Sequence, residues 1–419
     1  MDDARCAAEA AARKSYGRLL AILASRSGDI AAAEDALAEA LTAALTAWAA
    51  RGIPDNPDAW LLTAARRNLG HARGRAATAK ANEAVMILID EERGDRAPGP
   101  YGPVPFGDDR LKLIFVCAHP AIAADVQAPL MLQTVLGLDA ARIAACFLVS
   151  RAAMGQKLVR AKIKIREAGI ASVVPEPEVL AARTGAVLSA IYAAYGTGWE
   201  DVLGTDAKRK RLADEAIWLG RLVAELLPDD PEAMGLLSLM LHCEARRTAR
   251  RGAVGSFVAL ADQVPQRWSR TMVIEAETLL RTAARFAMPG RFQTEAAIQS
   301  LHAQSAMTGE DLRLPLMDLY DLLLALAPST GAAVARAVAY AEAGQCRAAL
   351  VQLDALTECA GYQPWWAARA RVLWLLGEEA AAREAAATAA GLSDDPAVRA
   401  FLLSGGAFRG WGAAAAPSA

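Results

Sequence analysis

The 419 residues exceed one small module and correspond to roughly two to four domains of about 100–200 residues each. Hydrophobic residues make up 54% and charged ones 22%, which excludes wholesale disorder. Against 47 acidic side chains stand 45 basic ones, a net charge of −2, so bulk charge does not mark a nucleic-acid binder and local charge has to decide.

Aromatic residues are only 6% of the chain, alanine fills many windows, and runs of Val, Ile, Thr and Tyr are scarce; an all-α fold is expected. No stretch reaches the ~18 uninterrupted apolar residues that cross a bilayer, and the opening Met1–Arg5 is acidic where a signal peptide is basic. These features predict a cytoplasmic protein that does not engage a membrane. The six cysteines, Cys6, Cys117, Cys146, Cys243, Cys346 and Cys359, form no CxxC pair and read as reduced, buried thiols.

Asp29 is the expected N-cap of a helix whose apolar stripe is Ile30, Ala33, Leu37, Leu41, Ala44, Leu45 and Trp48; Glu34, Asp35, Glu39 and Thr42 lie on the opposite face. Gly52 to Pro57 breaks that helix and Trp60 opens another, so three or four helices fit into the first 80 or so residues. From Ala59 to Asn82 there is no acid, but Arg66, Arg67, His71, Arg73, Arg75 and Lys80 gather behind Trp60. Cations beside an aromatic ring suit single-stranded nucleic acid; alternatively Trp60 simply packs the helix start. Residues 90–107 carry four prolines and four glycines and read as a linker.

The most informative window is Gly137 to Arg166. Gly137 ends one helix, Asp139 caps a second, Phe147–Val149 makes a buried turn and Ser150 caps a third, in the manner of a helix-turn-helix. Met154, Leu158, Ala161 and Ile165 form the core stripe of the third helix, while Arg151, Lys157, Arg160, Lys162, Lys164 and Arg166 occur without one acid until Glu167. Such a helix fits the major groove, with Arg151, Gln156 and Lys157 as candidates for base contacts; a merely solvated cationic face is the alternative. Val173–Pro177 marks another joint. Beyond it the chain reads as a helical array, with Gly344 and Gly377 following apolar helical segments 33 residues apart, close to the tetratricopeptide period of about 34. Ser404 to Ala419 reads as frayed. There is no P-loop, no GxGxxG after a strand and no HExxH, and Cys117 with His119 is too small a set for a metal. No catalytic residue, metal or cofactor is expected.

Several ordered segments resemble the extracytoplasmic-function sigma factors of bacterial RNA polymerase, in the subgroup with a tetratricopeptide-like C-terminal extension. Ala33–Ala40 (AEDALAEA) resembles that family's region 2.1–2.2, and Pro57–Asn68 (PDAWLLTAARRN) its regions 2.3–2.4. Asp108–Ala121 resembles the start of region 4 and Met154–Lys162 (MGQKLVRAK) its recognition helix; Leu227–Leu237 and Ala296–Ala303 resemble blocks of the extension. The chain departs from the pattern at Gly70, His71, Gly74 and Arg142.

The resemblance implies a sigma region 2 domain over 1–89, a linker over 90–107, a region 4 helix-turn-helix domain over 108–172, a helical extension over 178–403 and a disordered tail over 404–419. It implies a non-enzymatic protein with core RNA polymerase and promoter DNA as partners. Glu34, Asp35 and Glu39 are then polymerase-binding. Trp60, Arg66, Arg67, Asn68, His71 and Arg75 hold the minus-10 element, and Ser150, Arg151, Gln156, Lys157 and Arg160 the minus-35 element. The concave face of the array is expected to receive a protein or peptide segment. A tetratricopeptide-like scaffold with a vestigial helix-turn-helix is the rival reading, and a self-contained repressor or activator a third.

Overall fold

Asp29 caps a helix as its position predicts: its carboxylate accepts from the Ala32 amide at 3.1 Å. In the computed structural model, which describes residues 2–81, 109–147, 149–199, 207–252, 255–357 and 359–408, that cap joins α1 (Asp2–Ser27) to α2 (Ile30–Arg51). Gly28, at φ +68°, makes the turn between them. The chain then continues into α3 (Pro57–Ala81). The proposed linker over 90–107 and the terminal residues 409–419 lie outside the described residues.

The buried stripe of α2 is Ile30, Ala33, Ala36, Leu37, Ala40, Ala44 and Trp48. It is turned slightly from the expected one. Leu41 is half-buried and Leu45 is 45% exposed, because alanines at 36 and 40 let α1 and α3 approach where larger side chains would hold them off.

α4 (Asp109–Cys117), α5 (Ala124–Thr134), α6 (Ala140–Cys146) and α7 (Arg151–Glu167) follow. They do not stand apart from the first three helices. Met1–Ala194 is one compact unit, in which the apolar α4 packs against α1. The closest approach is at Gly17, where a Cβ would lie 2.0 Å from the Val135 carbonyl oxygen. Beside it the Tyr16 ring covers Gly137, whose own φ is +68°. A mid-helix glycine costs about 1 kcal/mol against alanine. At position 17 it is what lets the end of α5 sit on α1.

α8 (Pro177–Trp199) contains the window Val179–Gly196, which by length and mean hydropathy of 1.2 qualifies as a candidate membrane span. Within it the Arg183 guanidinium donates to the Phe115 carbonyl at 2.5 Å, and Val187, Leu188 and Ile191 are buried in the protein. The division between the two compact units falls inside this helix, after Ala194.

The second unit, Tyr195–Ala419, comprises α9 (Ala207–Leu226), α10 (Pro231–Ala245), α11 (Arg270–Ala284), α12 (Arg291–Thr308), α13 (Arg313–Leu326), α14 (Thr330–Glu342), α15 (Cys346–Asp354), α16 (Gln363–Leu375), α17 (Glu379–Gly391) and α18 (Pro396–Leu403). Three short 3-10 turns and an isolated bridge between Arg251 and Phe257 occupy the stretch between α10 and α11. No strand occurs among the described residues, so the fold is all-α.

Gly344 and Gly377 end α14 and α16 in the same way. Their φ values are +88° and +82°, and the following amides reach back five residues, Gln345 to the Tyr340 carbonyl (2.9 Å) and Glu378 to the Leu373 carbonyl (3.0 Å). The tail differs from expectation at its start. Gly406–Phe408 forms a 3-10 turn because the Phe408 ring stacks on Trp374 at 4.3 Å and Arg371 donates to the Phe408 carbonyl. Cys6 is also exposed rather than buried, while Cys117, Cys243 and Cys359 are buried as expected.

Replacing Gly344 or Gly377 by alanine forces a left-handed conformation on a residue with a Cβ. Each substitution is expected to destabilise the second unit by about 1 kcal/mol, read as a fall in the thermal midpoint. Gly391→Ala, with neither a positive φ nor a neighbour to meet, is expected to leave it unchanged or raised.

Candidate nucleic-acid interface

The helix-turn-helix is set by its caps. Asp139 Oδ1 accepts from the amides of Ala141 and Arg142, both at 2.9 Å, and Ser150 Oγ accepts from the Ala153 amide at 3.1 Å. Ser150 is therefore occupied as a cap on its Oγ. With α7 so started, Met154, Leu158, Ala161 and Ile165 turn inward and are buried. Arg151, Gln156, Arg160, Lys164 and Arg166 are exposed on the other side. Lys157 pairs with Asp125 at 2.6 Å, and Arg160 Nε donates to the Gln156 carbonyl at 3.3 Å.

One cation of α7 is not on that face. Lys162 is buried, its side chain 8% exposed, and its ammonium is ion-paired with the Glu34 carboxylate of α2. Burial raises the Glu34 pKa, and the Lys162 charge opposes that shift. Arg166 makes a looser pair with Asp29 at 3.4 Å. Glu34 therefore leaves the exposed acidic face assigned to it, on which Asp35 and Glu39 remain. The physical reason is that positions 34 and 162 each flank a core stripe, beside Ala33 and Ala161, at the border where α2 and α7 meet.

The α3 residues divide similarly. Trp60 is half-buried and meets Trp48 edge-on at 5.6 Å, so its ring packs the helix start rather than standing free for stacking. Asn68 Nδ2 donates to the Ala36 carbonyl at 3.3 Å. Arg67 is exposed and Arg66 half-buried, while the side chains of His71 and Arg75 lie outside those described. Cys117, fully buried, shares a hydrogen bond with Thr134 at 3.3 Å, and burial pushes its thiol up to about 12. His119 Nδ1 accepts from the Ala121 amide at 3.1 Å.

The second unit holds a polar cluster whose partners sequence reading missed. His242 of α10 is buried, with Nε2 3.5 Å from Glu277 of α11, whose carboxylate accepts from Ser300 of α12 at 2.5 Å. Arg246 donates to Gln299 at 2.6 Å, and Tyr195 donates to the Met240 carbonyl at 3.2 Å. His302 separates this cluster from an open cavity of about 350 Å³ lined by Leu260, Ser305, Glu310, Arg313 and Leu316. Burial holds the His242 pKa down at about 4, against the pull of Glu277. Burial and then Arg246 hold His302 at about 3. Both imidazoles are neutral at pH 7. The only sequence signal was polar residues at inward positions of apolar helices, which does not say which of them meet. No group of three metal-ligating side chains occurs among the described residues.

The model of a protein family of unknown function, DUF6596, matches residues 183–284, from within α8 to the end of α11. The chain is also 36% identical over 376 residues to the uncharacterized protein R00370 of Rhizobium meliloti (strain 1021), with 88% of each chain covered. The chain belongs to the family of that protein. No solved structure matches. The family model thus spans Tyr195, His242, Arg246 and Glu277 but neither the helix-turn-helix nor the glycine-capped helices after α13.

Because both histidines have folded pKa values below the unfolded value of about 6.5, the unfolded chain binds more protons at mildly acid pH. Their contribution to stability is complete above about pH 6.5 and falls with acidification, by up to about 1.4 kcal/mol per pH unit for each. Denaturant titrations of His302→Gln between pH 7 and 4.5 are expected to show a shallower loss than wild type.

Proposed function

We propose that the chain is an alternative sigma factor of the extracytoplasmic-function type, which binds core RNA polymerase and directs promoter-specific initiation in the cytoplasm. The observation that carries this reading is the capped helix α7, with Arg151, Gln156, Arg160 and Lys164 exposed along it in an otherwise charge-balanced protein. Its early residues suit base edges in a major groove, and Arg160 and Lys164 suit phosphates. The exposed pair Asp35 and Glu39 supplies an acidic face of opposite character on α2, suited to a basic partner such as the polymerase clamp. Among the described side chains, Arg67 is an exposed cation of α3 suited to an opened minus-10 strand. The protein carries no catalysis of its own in this reading, and the second unit regulates activity or aids polymerase binding.

The rival, a protein-binding tetratricopeptide-like scaffold, draws on one specific observation, the matched glycine caps 33 residues apart at Gly344 and Gly377. Mixing the purified chain with sigma-free core polymerase separates the two. Co-elution and transcripts from particular promoters are expected for the sigma reading, whereas a folded protein that never binds polymerase overturns it.

Arg160→Ala with Lys164→Ala is expected to weaken promoter binding across sequences and lower the slope of log K against log salt by about 1 per lost phosphate contact, with polymerase binding retained.

A further inference from the structure

We infer that the second unit carries a binding site for a small organic carboxylate, with one carboxylate oxygen in a pocket between α10 and α12 and the carbon body in the open cavity beside it. The inference stands whether the chain is a sigma factor or a scaffold, because it rests on this unit alone. The inner pocket, of about 10 Å³, is walled by His242 and Arg246 of α10, Gln299 and His302 of α12, and Leu260 and Trp268 of the stretch between α10 and α11. It has room for one water-sized group. His302 and Leu260 also line the cavity of about 350 Å³, so the two spaces adjoin. That volume lies at the lower end of the range for small-molecule sites. Leu312 and Leu316 give the cavity a buried apolar wall.

The inner pocket presents donors. Trp268 Nε1 is buried with no hydrogen-bond partner in the protein, and so is His242 Nε2, on a side chain 2% exposed. An indole nitrogen and a guanidinium only donate, so the group that fits beside Trp268 and Arg246 is an acceptor. Buried polar groups are paired with few exceptions, and two exceptions in one pocket point to a ligand. The local charge decides its kind. Burial first, and then the charge of Arg246, hold the pKa values of His242, His302 and Arg250 below their ordinary values, with Glu277 opposing at His242. Neutral imidazoles beside a guanidinium leave the pocket positive, and Glu277, held by Ser300, is not part of its wall. On the cavity rim Glu310, Asp311 and Arg313 are exposed, Asp311 and Arg313 pair with each other, and solvent screens them. The anionic oxygen therefore belongs inside. A flat carboxylate can pass one oxygen between His302 and Leu260, whereas the tetrahedral head of a phosphate is thicker. The indole is also held in place for this contact. Thr248 Oγ1 donates to the Arg267 carbonyl at 3.0 Å, Arg267 Nη2 to the Thr248 carbonyl at 2.6 Å, and the Ser269 amide to the Ala245 carbonyl at 2.8 Å.

The test titrates the full-length chain by calorimetry with hexanoate, phenylacetate and benzoate, with the alcohol and the amine of each carbon skeleton, and with phenyl phosphate. At least one carboxylate is expected to bind one-to-one and at least about tenfold tighter than its alcohol and its amine. Trp268→Phe keeps a ring and removes the donor, and is expected to weaken that binding about tenfold. Ala306→Trp puts a bulky ring into the cavity from an exposed position outside the core, and is expected to abolish binding while the protein melts as wild type does. This second variant reads the site even if Trp268→Phe fails to fold. Carboxylates that bind no better than their alcohols overturn the inference and leave the inner pocket to a single water bridging Trp268 and His242. Carboxylate binding that survives Ala306→Trp lies elsewhere on the chain and overturns it as well. Tighter binding of phenyl phosphate than of every carboxylate overturns the assignment to a carboxylate. None of these outcomes touches the sigma reading, which polymerase binding decides.

Discussion

The first unit depends on how closely α1 can be approached. Two helices ordinarily pack with axes 8–10 Å apart because side chains hold them there. At Gly17 the side chain is missing, and the carbonyl of Val135 occupies the space a Cβ would take. With the end of α5 fixed there, Tyr16 closes over Gly137, Asp139 starts α6 and Ser150 starts α7 in the position where Lys162 meets Glu34. A steric allowance on α1 thus orients the cationic face of α7 some 130 or more residues later in the chain.

The second unit uses a different principle. Of its later helices, α14 with α15 and α16 with α17 are joined by short glycine-capped turns, and the four bury mostly alanine, so much of their packing is between neighbours in sequence. Its earlier helices, α10 to α12, converge on a polar centre instead, where Ser300 donates to Glu277 and Arg246 to Gln299 beside neutral histidines. Buried polar networks of this kind define one arrangement of helices sharply, since a shifted register would leave charges unpaired in an apolar setting.

What was legible in the sequence was local. Caps such as Asp29, Asp139 and Ser150 act within three residues, and the glycines at 344 and 377 act within five; all were readable because cause and effect lie side by side. The core stripe of α7 was readable by period. The α2 stripe was displaced at Leu45 because periodicity alone does not say how near a neighbouring helix comes. The partners of Glu34, Trp60 and Gly17 were not legible, for one shared reason. These partners, Lys162, Trp48 and Val135, are set by the tertiary fold, and nothing in a single sequence links residues 34 and 162. The ordered turn at Phe408 escaped notice similarly, since its partner Trp374 lies a full helix pair away.

The pairing of Glu34 with Lys162 also binds the history of two distant codons. A change at either position alone strands a charge in a dry seam, whereas a paired exchange for apolar residues, or a reversal of both signs, passes through with little loss. A single change at 34 or 162 therefore carries a cost that a paired change does not, even though 128 positions separate the two residues.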